Sequence, residues 1–129
     1  MDNEYIKKII YNSGDIFLPE SVRTILLTEL IGSMKKTFYI TVWSVIHFIN
    51  GIIFGYLYLF FKYDIKRYAI IMLIIHTCWE FWQILIGMSK PYNLTGQNNL
   101  VDIIVDTLLF MLGAYITLKI YKHKYKNSI

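Results

Sequence analysis

Three carboxylates, two imidazoles and two amides fall inside stretches of this chain that are otherwise almost free of charge: Glu80, Asp102, Asp106, His47, His76, Asn50 and Gln83. Glu80 stands near the middle of the run 68–89, and His76, Gln83 and Gly87 share its helical face by their spacing. A charge at such a depth in hydrocarbon costs on the order of 2.5–3.5 kcal/mol, so it is rarely placed there without a purpose. His47, with Asn50 beside it, marks the preceding apolar run, and Asp102 and Asp106 lie four apart on the next. A carboxylate paired with an imidazole can transfer a proton as acid and base, relay protons or bind a cation. Glu80 and His47 are therefore the candidate catalytic pair, and Gln83, Asp102, Asp106, His76 and Asn50 the candidate binding groups.

The elements that position these groups are read from charge-free length. Residues 38–61 contain no Asp, Glu, Lys or Arg, residues 68–89 contain only Glu80, and residues 101–118 contain only Asp102 and Asp106. At about 1.5 Å per residue, each run is long enough, or nearly so, to cross a hydrocarbon core of about 30 Å. With 56% hydrophobic residues in 129, the expected fold is all-α. It is an integral membrane protein with three transmembrane helices in an antiparallel bundle and an amphipathic N-terminal interfacial helix.

Three regions follow: an interfacial segment 1–36, a membrane domain 37–121 and a basic tail 122–129. Within the first, Val22, Ile25, Leu26, Leu30 and Met34 recur at helical spacing after Pro19, which suits a first helical turn. Arg23 and Glu29 make a surface position cheaper than a spanning one. Lys62 to Arg67 is short enough only for a tight connection, and 90–100 carries Pro91, Asn93, Gly96, Asn98 and Asn99, which is loop chemistry. Lysine and arginine divide almost evenly between the two sides, with a slight bias toward a cytoplasmic C-terminus.

Depth along each helix pairs the polar groups. From the side of the 90–100 loop, His47 lies roughly 15 Å deep and Glu80 roughly 13 Å, while Gln83 and Asp106 lie roughly 9 and 8 Å deep. Asp102 falls near the interface. These levels predict contacts between His47 and Glu80 and between Gln83 and Asp106, around a half-buried cavity open toward the longer loop. Gly51 and Gly55, four apart, allow close helix packing, within the chain or in a homo-oligomer, and Gly87 and Gly113 are small residues on the other two faces.

Other chemistry has little support. Cys78 is the only cysteine, so an intramolecular disulfide is impossible and a thiolate zinc site is not expected. His76 and Glu80, four apart, could hold a metal together with His47, but that spacing recurs by chance and an ion pair explains the same residues. No cofactor and no metal are expected. The tail lysines Lys119, Lys122, Lys124 and Lys126 read as membrane flanking, attracted to anionic lipid, and not as a nucleic-acid site. No cleavable signal peptide is expected, because Asp2, Glu4, Lys7 and Lys8 precede any apolar core.

Trp79-Glu80-x-x-Gln83, a polar loop, then Asp102-x-x-x-Asp106-Thr107 and Gly113, with His47-Phe48 upstream, resembles the VanZ-like family of small integral membrane proteins. The Trp-Glu pair and the two acids are also similar to membrane proteins of the YjdF type. The resemblance spans about His47 to Tyr115; the family usually has Asn where this chain has Asp106. It implies an envelope role without a settled chemistry. The Lys-, Ile-, Tyr- and Asn-rich composition fits an AT-rich genome, hence a plasma or envelope membrane of a low-GC bacterium or a membrane of a virus-infected cell. The expected function is binding or modifying an amphiphilic, lipid-like ligand at the acidic cavity, with membrane lipids as partners. The alternatives are a homo-oligomeric pore or proton-conducting bundle, and a structural protein whose polar residues act only as interhelical glue.

Overall fold

The computed structural model describes residues 19–33, 38–61, 64–89 and 99–125. Most of these residues are helical. A short helix α1 (Glu20–Leu26) is followed by strands β1 (Glu29–Gly32) and β2 (Tyr39–Thr41), then by three long helices, α2 (Val42–Phe60), α3 (Tyr68–Ser89) and α4 (Asn99–Lys124). A single 3₁₀ turn, Ile65–Arg67, leads into α3. The expected segment 1–18, the connection 90–98 and the tail from 126 lie outside the described residues, as do the surroundings of Gly87.

The amphipathic helix expected to run from Glu20 to Lys36 stops at Leu26 instead, and β1 pairs antiparallel with β2, placing Gly32 opposite Tyr39. Gly32 takes a positive φ of 72°, a conformation that ends any helix and costs a glycine little. The first span is shortened accordingly. Residues 39–41 belong to the strand, and α2 begins at Val42, where Thr41 and Ser44 form a capping box that satisfies orphan amides of the first turn. At the far end of the bundle, the Asp64 side chain accepts from the Lys66 amide and caps the turn into α3.

Helices α2 and α4 make the closest packing in the fold, and α3 leans mainly on α4. Small residues explain the first contact. A Cβ at Gly51 would strike the Phe110 carbonyl, one at Gly113 would strike the Phe48 carbonyl, and one at Gly55 would strike the Tyr68 hydroxyl. Gly51 and Gly55 are therefore consumed inside the chain, against α4, and are not free to form a homo-oligomer contact. Tyr68 anchors the foot of α3 by donating its hydroxyl to the Ala114 carbonyl at 2.7 Å. Leu59, Tyr68, Met72, Phe110 and Ala114 make the apolar core at that end.

The polarity of the bundle is inverted. Ile53, Phe60, Ile70, Ile74, Phe81, Leu108 and Ile120 point outward, whereas His47, His76, Glu80, Gln83, Asp102 and Asp106 are buried between the helices. Two helical stretches, Val42–Phe60 and Leu100–Lys124, are long and apolar enough to cross a membrane, and only 33% and 39% of their apolar windows are buried inside the chain. A core helix of a water-soluble domain would be covered far more fully.

Candidate functional site

His47 occupies the centre of the buried polar set. It lies on the inner face of α2, one turn beyond Trp43, whose ring meets the imidazole edge-on at 5.3 Å. Its Nδ1 is 3.1 Å from His76 Nε2 on α3. Its Nε2 is 3.3 Å from Asp106 Oδ2 on α4 and 3.7 Å from Glu80 Oε1 on α3. His76 and Glu80, one helical turn apart, also meet, with Nε2 to Oε1 at 3.3 Å. All three long helices thus contribute to one cluster, and one donor atom each from His47, His76 and Glu80 lies within 4.8 Å of the others.

The cluster is buried and poorly satisfied. Asp106 is 0% exposed and Glu80 5%, yet neither oxygen of either carboxylate has a hydrogen-bond partner among the described residues. Ser44 stands beside Asp106, but without reaching hydrogen-bond geometry. Bare buried carboxylates are costly, which marks the cluster as a place that a cation, a proton or a polar ligand would occupy.

The sequence-derived groups divide. His47, His76, Glu80 and Asp106 converge. Gln83 is buried but does not reach Asp106: both of its amide atoms are without a hydrogen-bond partner, because Asp106 faces His47 instead. Asp102, expected at an open entrance, is 2% exposed and covered by β2, where the Tyr39 hydroxyl bonds it. Burial, and then the Asp102 and Asp106 carboxylates, push the Tyr39 phenol above its ordinary range. Sequence reasoning missed two contributors. Thr107 Oγ1 lies 3.3 Å from His76 Nδ1, and the buried Tyr39 lies beside Asp102 and Asp106; only the position of Tyr39 at the very start of the first apolar run hinted at it.

Next to the cluster lies a cavity of about 500 Å³. Its wall takes His47, Asn50 and Phe54 from α2, Ile75, His76, Cys78, Trp79 and Trp82 from α3, and Phe110 from α4. Those residues belong to the middles of the helices, along the seam where α2 and α3 touch least. The cavity is therefore lateral, and among the described residues its lining does not extend to the ends facing the 90–98 connection. Asn50 reaches it; Trp79 and Trp82, tilted by 37° with ring centroids 5.1 Å apart, stand in its wall on α3. The cluster meets the cavity through the two imidazoles.

No protein-family model, curated protein or solved structure matches the chain.

Proposed function

We propose that this chain is a three-span membrane protein of the VanZ-like type that binds, and acts on, an amphiphile, seating the acyl part in the lateral cavity and the polar part against His47 and His76. The inverted polarity of the bundle supports the membrane setting for α3 as well, whose 22 residues give a length of about 33 Å. One observation carries the ligand class. An aromatic and aliphatic cavity at mid-helix height has two imidazoles of a buried carboxylate cluster in its wall, which is the lining an amphiphile with a compact polar head requires. Glu80 and His47 are then the acid/base pair, His76 and Asn50 contact the head group, and Asp106 orients His47.

The test is native mass spectrometry of protein in nanodiscs made from a mixed lipid extract, comparing wild type with Ile75→Trp, which fills the cavity, and with Glu80→Gln. Wild type should retain one lipid class preferentially. Ile75→Trp should lose it while remaining folded, and Glu80→Gln should keep a lipid but relax the head-group preference. Equal, unselective lipid retention by all three proteins would sink the reading and leave the polar residues as glue between helices.

A further inference from the structure

We propose that His47, His76 and Glu80 hold a divalent first-row metal ion, Zn²⁺ or Fe²⁺, with Thr107 and Asp106 fixing the orientation of the two imidazoles. The site belongs to the cluster described above but rests on its donor atoms and their spacing, so it stands whether or not an amphiphile occupies the cavity.

Thr107 fixes the tautomer of His76. Its hydroxyl donates its one proton to the Ile103 carbonyl at 2.6 Å, so toward His76 Nδ1, 3.3 Å away, it can only accept. The ring proton of neutral His76 therefore sits on Nδ1, and Nε2 carries a lone pair. His47 Nε2 makes no hydrogen bond among the described residues, but it lies nearest two carboxylate oxygens, Asp106 Oδ2 at 3.3 Å and Glu80 Oε1 at 3.7 Å; their charge favours the tautomer with its proton on Nε2 and its lone pair on Nδ1. The two lone-pair nitrogens are 3.1 Å apart, and Glu80 Oε1 adds a third electron-rich atom 3.3 Å from His76 Nε2. Three electron-rich atoms gathered in a buried site repel unless a positive centre lies among them.

The separations suit an ion. Donors at 2.0–2.2 Å around a tetrahedral centre are roughly 3.3–3.6 Å apart; two edges, 3.1 and 3.3 Å, lie at or just below that range, and one donor atom from each of the three residues lies within 4.8 Å of the others. The outer shell also resembles that of a metal site: the second nitrogen of each imidazole lies 3.3 Å from an oxygen, a carboxylate for His47 and a hydroxyl for His76. A second, independent feature is that both Glu80 oxygens are buried without a hydrogen-bond partner among the described residues. Two imidazoles and a carboxylate, with no thiolate, select zinc or non-haem iron over copper(I), and leave coordination positions open to water or a ligand. Both imidazoles reach the cavity wall, so an open position would face whatever occupies the cavity.

The experiment is metal analysis of the purified full chain in nanodiscs, followed by chelator stripping and titration with Co²⁺. Wild type should carry roughly one Zn²⁺ or Fe²⁺ per chain, and the stripped protein, still helical by circular dichroism, should develop the visible ligand-field bands of four-coordinate Co²⁺. Thr107→Val removes the acceptor behind His76 together with a hydroxyl bond to the Ile103 carbonyl of its own helix, and should weaken Co²⁺ binding about 10–100-fold while leaving the fold intact. His76→Ala and Glu80→Gln should abolish the bands. Folded wild type that carries no stoichiometric metal and gives no Co²⁺ bands would overturn the proposal; the imidazole pair then shares a proton only. Lipid retention by the same sample is scored separately, so loss of the amphiphile reading leaves the metal result interpretable.

Discussion

Gly51 on α2 and Gly113 on α4 pack reciprocally: Gly51 lies under the carbonyl of Phe110, and Gly113 under the carbonyl of Phe48. Each helix thus presents a missing side chain to the other's backbone, and this seam brings His47 and Asp106 within 3.3 Å. An alanine at either glycine meets backbone, which cannot swing aside. Gly51→Ala and Gly113→Ala should each destabilise the protein by about 1–3 kcal/mol. Because parting the helices once relieves both clashes, the double variant should cost less than the sum. Reversible unfolding in mixed micelles measures this, with exposed Ala69→Leu as the reference, expected within about 0.5 kcal/mol of wild type.

The contact between His47 and Asp106 should appear as an energetic coupling. A cycle of His47→Ala, Asp106→Asn and the double variant should give about 1–2 kcal/mol of interaction, since removing either partner takes from the other its nearest opposite polar group on the facing helix. The same cycle for His47 and Gln83 should give less than about 0.5 kcal/mol, because Gln83 makes no hydrogen bond among the described residues. A large His47–Gln83 coupling would show that the arrangement of the three helices differs from the one described.

Much of this arrangement was legible in the sequence, and the parts that were not have physical causes. Helix α3 spans the same residues as the apolar run 68–89, because Arg67 and the loop chemistry from Lys90 bound it on either side. Helix α4 is longer than its apolar run. Lys119, Lys122 and Lys124 continue the helix with long stems that carry their charges outward, which hydropathy counts as an ending. The β-hairpin was hidden because Ile31 and its neighbours satisfy a helical period about as well as a strand, while Gly32 was the readable signal against a helix. Depth along an axis predicted that Glu80 and His47 would share a level, but it carries no azimuth. It could not tell that Asp106 would turn to His47 in place of Gln83, nor that the His76 ring, a turn away from Glu80, would reach the same point.

Tyr39 on β2 and Asp102 in the first turn of α4 form a pH-dependent contact. The Tyr39 phenol is held above its ordinary value of 10.0 by burial and by the Asp102 carboxylate. The sign follows from linkage: a group whose pKa is raised on folding contributes stability that is full below the unfolded value and lost as pH rises through the folded one. Wild type should therefore lose stability relative to Tyr39→Phe as pH climbs above about 10. At neutral pH, Tyr39→Phe should be less stable by about 1–3 kcal/mol, since Asp102 then loses its donor. Parallel unfolding curves for the two proteins across the alkaline range would remove the Tyr39–Asp102 hydrogen bond from the account.

Cys78 offers a direct view of the cavity. It is the only cysteine in the chain, it is exposed, and it stands in the cavity wall with Trp79 and Trp82. A spin label attached there needs no background substitutions. If the α2–α3 seam faces acyl chains, the label should collide readily with dissolved oxygen, which concentrates in hydrocarbon, and hardly at all with a water-soluble nickel chelate. Addition of the lipid class retained in nanodiscs should then reduce its mobility, while Ile75→Trp should reduce it with no lipid added. Strong nickel accessibility would mean that water fills the same space. Two imidazoles and two carboxylates beside a wet lateral cavity describe a proton or cation path better than an acyl pocket, and the conducting-bundle reading would take precedence.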